Sequence, residues 1–201
     1  GHGGDRLTAR SILTAPLADR VVIDGRTVSL RTDYRVWILL STVLADEGLP
    51  AVSKMRLCLS TCYIDLPDTV DRETAYLRAL RFYNRLPDTE DTEAAADASV
   101  CSAPREPILD FDIDGDRIYA AFYGAYGIDL TTAHLHWWQF LALLVSLPRD
   151  CAFMQTVSLR CMDPSEVQND DARRRLRRAK AQVRIRRGKR DKEVRPWQTA
   201  P

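Results

Sequence analysis

The chain has 201 residues, 45% hydrophobic and 28% charged, the balance of an ordinary soluble globular protein with one moderate domain or two small ones. A net charge of +1 conceals segregation: thirteen Lys or Arg fall between Arg173 and Arg195 against Asp191 and Glu193, leaving the remainder acidic. The first residues lack the apolar h-region of a secretory signal, and the longest apolar run, Leu135 to Leu147, is too short to span a bilayer. Five scattered cysteines without a C-x-x-C pair argue against a disulfide framework or a zinc ribbon and fit a reducing compartment.

Residues 21–30, "VVIDGRTVSL", predict a β-hairpin, with Asp24 and Gly25 supplying the positive φ angles of a type I′ turn. Asp33 is placed to cap a helix through Leu44 that carries Trp37, Leu40 and Leu44 as one stripe. Ser53 can cap a second helix, in which Cys58 and Cys62 share a face and pack as small hydrophobes rather than as ligands. Asp71 opens a third helix to about Leu86, with Tyr76, Leu80 and Tyr83 spaced to face a core. Residues 88–107 lack any apolar period and are rich in Asp, Glu, Ala, Ser and Pro, as expected of a flexible acidic linker.

Beyond the linker, Asp114 or Asp116 opens a helix with Ile118, Phe122 and Tyr126 on one face and Gly127 at its left-handed terminus. Thr131 or Thr132 then caps a helix that is apolar almost all round and ends at Pro148, as suits the middle of a bundle. A short helix covers Cys151 to Arg160, and Asp163-Pro-Ser-Glu166 combines a cap, an N1 proline and a capping-box glutamate. The last helix is expected from about Asp170 to Arg187, with Leu176, Ala179 or Lys180, and Val183 docked inward and arginines snorkelling around them. The fold class is therefore mainly α: a helical bundle in two halves with a small N-terminal β-hairpin. The expected divisions are a flexible 1–17, a first half 18–87, the linker 88–107, a second half 108–190 and a tail 191–201.

"DFDIDGD" at Asp110–Asp116 begins like an EF-hand calcium loop, with Gly115 at the sixth position. The twelfth position, where a bidentate glutamate must close the sphere, is Ala121, and the ninth is Ile118 of the apolar stripe. An extended entry of alternating aspartates into a helix explains the same residues without a metal. On a helix His134 and His136 diverge by about 200° and cannot share one metal. Trp137 and Trp138, beside Phe140, read as core anchors rather than base-stacking platforms. No nucleophile elbow, P-loop, dinucleotide fingerprint or H-E-x-x-H occurs. No catalytic residue, metal ligand or cofactor is therefore assigned.

"IYAAFYGAYGIDL" followed by "LHWWQFLALLVSLP" resembles the bacteriophage Gp15 family. The matching positions are Asp116, Ile118, Tyr119, Phe122, Tyr126, Gly127, Leu135, His136, Trp137, Trp138 and Phe140, continuing to Pro148. "RTDYRVW" at Arg31–Trp37 and "FYNRLP" extend the likeness to roughly residues 13–187; the variable linker and the arginine-rich last helix depart from it. The resemblance implies a tail assembly chaperone of long-tailed phages, without catalytic residues, that holds the tape measure protein soluble in the host bacterial cytoplasm and is absent from the mature virion. The tail tube protein, a shorter chaperone encoded upstream and a second copy of the chain are further candidate partners. Arg173, Arg174, Arg177, Arg178, Arg184, Arg186 and Arg187 are the candidate partner-binding residues. A tail or connector component retained in the virion is the runner-up, and nucleic-acid binding through the basic helix comes third, since the segment lacks interleaved aromatics.

Overall fold

The computed structural model describes Leu13 and residues 16–86 and 107–185. Of the expected N-terminal stretch 1–17 only residues 13, 16 and 17 are described; the linker 88–107 except residue 107, the tail 191–201, and Arg186 and Arg187 lie outside the described residues. Within them the protein is mainly helical, with one small antiparallel hairpin. Strands β1 (Arg20–Ile23) and β2 (Arg26–Ser29) pair with Val21 opposite Val28. Asp24 and Gly25 turn the corner at φ 49° and 73°, the double positive φ that a type I′ turn needs. Val21, Ile23 and Val28 point into the core while Val22 faces solvent, the two-residue alternation of a half-buried sheet.

Helix α1 (Tyr34–Ala45) is capped by Asp33, whose carboxylate accepts from the Arg35 amide. Its stripe behaves as the spacing predicts: Trp37 and Leu40 are fully buried and Leu44 is half-buried against them. Helix α2 (Ala51–Cys62) begins one turn earlier than the Ser53 cap predicted, directly after Pro50, whose fixed φ of −59° enters the helix without a side-chain cap. Cys58 and Cys62 lie wholly inside as free thiols, and their mutual hydrogen bond and burial push the Cys62 thiol pKa up. Helix α3 (Arg72–Tyr83), capped by Asp71, ends before Leu86. Its inward face is Ala75, Ala79 and Phe82, with Tyr76, Leu80 and Tyr83 half-buried beside it. The two alanines correct the expected stripe: small residues let α2 and α3 approach, and the larger aromatics flank the contact.

Helix α4 (Phe111–Tyr126) also starts earlier than expected. Asp110 is its cap, accepting from the amides of Asp112 and Ile113, so "DFDIDGD" is helical rather than an extended entry. Gly127 closes it at φ 67°, a left-handed conformation that glycine adopts without a Cβ penalty. Helix α5 (Trp137–Val145) is shorter than expected. The cap is His136, not Thr131 or Thr132, because Asp129 turns the 129–133 segment back on itself. One side of α5 is open: Val145 is 73% exposed, while Trp137, Phe140 and Leu144 are buried. Helix α6 (Ala152–Cys161) follows Cys151; Pro164–Glu166 forms a single 3₁₀ turn; and α7 (Asp170–Val183) is capped by Asn169.

Residues on both sides of the 88–107 stretch contribute to one buried cluster. Phe140 stacks on Tyr34 at 4.7 Å and on Phe122 at 5.2 Å, and Trp37 packs on Phe82 at 4.6 Å. Such ring pairs add roughly 0.5–1.5 kcal/mol each beyond their burial.

Candidate partner-binding surface

The family-like motifs turn out to be polar pins around that aromatic core. The last carbonyls of a helix have no partner within it and must find donors elsewhere. The indole N–H of Trp137 donates to the Tyr83 carbonyl and that of Trp138 to the Phe82 carbonyl, both at 2.9 Å, fastening the start of α5 onto the end of α3. His136 completes the joint: its Nδ1 accepts from the Trp138 amide while Gln139 reaches back to the His136 amide. With Nδ1 accepting, the ring proton sits on Nε2, which donates to the Ala18 carbonyl at 2.9 Å. "RTDYRVW" works in the same way. Arg31 donates to the Ser60 and Thr61 carbonyls at the end of α2, Tyr34 to the Leu130 carbonyl, and Arg35 to the Leu130, Thr131 and Ala133 carbonyls. His134, by contrast, follows the 129–133 turn with an 88% exposed side chain, 3.7 Å from Asp33. Neither histidine is within α5, so the extended entry to that helix rather than helical geometry separates them.

Four residues of α4 share the inward face at helical spacing: Asp114, Ile118, Ala121 and Phe122. Asp114 is fully buried, and Arg160 of α6 meets it with two hydrogen bonds of 2.6 and 2.9 Å. Arg117 stands 3.7 Å from the same carboxylate, and the Asp110 amide donates to it. Arg160 also donates to the carbonyls of Ile108 and Val183 and so ties α4, α6 and the end of α7 together. The signal was present in the sequence as a lone carboxylate on an apolar face, which needs a cationic partner. Its partner, 46 residues away, carried no such mark. Among the described residues no group of three metal-ligating side chains converges, and no helix is long and apolar enough to cross a membrane.

Helix α7 is built differently from the rest: none of its residues is buried. Leu176, Ala179, Lys180 and Val183 are half-buried toward the protein, and Lys180 donates to the Arg160 and Met162 carbonyls at the end of α6. Ile185, just beyond, is buried. Of the candidate arginines, Arg173 folds back onto the Val167 carbonyl and Asp170. Arg174, Arg177 and Arg178, together with Arg175, face solvent, and Arg184 is exposed at the helix end. A guanidinium fork on such a face matches carboxylates or phosphates bidentately. Elsewhere on the surface, Tyr119 and Tyr123 stack at 6.2 Å on the outer side of α4, and Asp116 is exposed there.

The family model described as Bacteriophage Gp15 protein matches residues 15–185. The chain belongs to the bacteriophage Gp15 family. No curated protein and no solved structure matches it. The Gp15 match runs from before the hairpin to Ile185, so it takes in the Trp137 and Trp138 joint, the Asp114–Arg160 pair and the whole of α7. The conspicuous Gp15-like residues are chiefly those that hold the fold; the exposed arginines of α7 have no such duty.

Proposed function

We propose that this Gp15-family protein is a non-catalytic tail assembly chaperone that binds the tape measure protein during phage tail morphogenesis. The observation that carries the reading is the family match over residues 15–185. The outward guanidinium face of α7 supports it by offering reversible contacts to acidic patches on a long helical partner. Such contacts suit a factor that must let go as tube subunits polymerise. The test is co-expression with the tape measure protein encoded alongside. The expected result is a soluble tape measure that co-elutes with this chain; an insoluble tape measure and no co-elution would overturn the reading. Mass spectrometry of purified particles separates the chaperone from a retained tail component, since only the latter is stoichiometric in the virion.

The same arginine face favours a second reading, in which it binds nucleic acid. That reading requires an affinity for DNA or RNA that falls steeply with salt, because each neutralised phosphate releases counterions. Binding that ignores salt would remove it.

A further inference from the structure

The apolar face of helix α2 is wider than the part that the core covers. Cys58 and Cys62 point into the core, and beside them Val52, Met55 and Leu59 run up an adjoining strip at the three-to-four spacing of a helical stripe, turning from the core at Leu59 out to solvent at Val52. Together with Ile64 in the following turn, they line an open groove of about 520 Å³ between α2 and the start of α3. Its size lies within the roughly 300–1,000 Å³ of clefts that accept ligand-sized groups. Leu59 forms the floor, at 7% exposed, while Val52 and Ile64 stand at the rims with 63% and 52% of their surface in water. Among the described residues, the charged ones lining the groove are Arg56 and Arg72, with no carboxylate beside them in its wall. Arg56 is exposed and makes no side-chain hydrogen bond or ion pair among the described residues. Arg72 pairs with Asp68, whose side chain is 98% exposed, a surface pair worth about 0–1 kcal/mol that another carboxylate can replace.

We propose that this groove docks an amphipathic helix of a partner protein, its apolar ridge lying along Val52, Met55, Leu59 and Ile64 and its flanking carboxylates meeting Arg56 and Arg72. The helix-in-groove mode reads a partner through apolar anchors at i, i+3, i+4 and i+7, which an open apolar groove of this kind can receive. The charges select among occupants. A second copy related by a two-fold axis would bring this basic patch against itself, because an isologous interface repeats the same surface on both sides. An acidic helix gains where a second copy is repelled. The groove is separate from the arginine face of α7, and as the tape-measure contact it rests on the chaperone reading.

The test uses the full chain and a fluorescent synthetic peptide with Leu at helical spacing and Glu on the flanks, with a Lys-flanked counterpart. The Glu peptide is expected to bind saturably, and the Lys peptide at least about tenfold more weakly. Val52→Asp and Arg56→Glu should each weaken the Glu peptide at least about tenfold with unchanged thermal unfolding, since both side chains are exposed, and Arg56→Lys should retain it. The proposal is overturned by failure of the Glu peptide to bind, by indifference to the flanking charge, or by binding that survives Val52→Asp and Arg56→Glu. Self-association abolished by these variants, without peptide binding, would assign the groove to a second copy and overturn it equally. Tape-measure capture tells the two readings apart. Peptide binding without capture by the wild-type chain removes the chaperone reading and leaves the groove, whereas capture that survives both variants removes the groove and leaves the chaperone.

Discussion

Asp114 and Arg160 meet at a place from which water is excluded, with side chains 0% and 6% exposed. Removing either partner strands the other, so Asp114→Ala and Arg160→Ala should each cost about 3–5 kcal/mol in urea denaturation. Replacing both by apolar residues of similar volume, Asp114→Leu with Arg160→Met, should recover most of that loss, because the desolvation penalty disappears with the charges. His136 behaves differently because it must stay neutral. Burial lowers its pKa below the ordinary 6.5, against the raising influence of the Ala18 carbonyl and Asp19. Protonation would place a hydrogen on the Nδ1 that caps the Trp138 amide. The unfolded chain therefore takes up the proton first. This contribution to stability is complete above 6.5, declines as pH falls through 6.5 toward the lowered native value, and is flat below it. His136→Asn keeps a capping acceptor without titrating, and its stability–pH curve should lack that decline.

At the scale of elements, the joint between α3 and α5 decides how the second half is attached. Trp137→Phe keeps a ring against Phe140 but leaves the Tyr83 carbonyl without its indole donor, and should cost about 1–3 kcal/mol in thermal or chemical unfolding. Whether an element exists was largely legible from sequence. The Asp24–Gly25 turn, the Asp33 and Asp71 caps, Gly127 and the Ile118–Phe122 face all rest on local chemistry, and the structure places them where that chemistry requires. Where α4 and α5 begin was not legible. "DFDIDGD" offers several aspartates able to cap, and only the burial of Asp114 on Arg160 fixes Asp110 as the one that does. Likewise Thr131 and Thr132 are good caps in isolation, but Asp129 and Arg35 hold that segment as a turn and pass the role to His136. Of the candidate site, the basic composition of α7 was plain, but which arginines point outward depends on docking against α6. Arg173 and Lys180 are spent on internal carbonyls, while Arg174, Arg177 and Arg178 are not.

For the whole molecule, helices α1 to α6 close over one cluster that Trp37, Phe122, Trp137 and Phe140 fill from both sides of the acidic stretch. On the proposed chaperone reading, a partner is held on the outside. Charge reversal of Arg174, Arg177 and Arg178 to Glu should reduce tape-measure capture at least about tenfold, or about 1.4 kcal/mol, while leaving the unfolding temperature within a degree or two, since none of the three is packed inside. The manner in which α7 is fastened has a consequence in time as well as in space. Stability is not uniform across a fold, and segments with little buried apolar contact open more readily than the core. With no buried residue of its own and its hold shared between Lys180 and Arg160, α7 should release its amide hydrogens to deuterium well before α1 does. Lys180→Met should hasten that exchange in α7 alone. A partner gripping the outward arginines should slow it again, so the protein's most readily detached helix becomes the part that reports its occupancy.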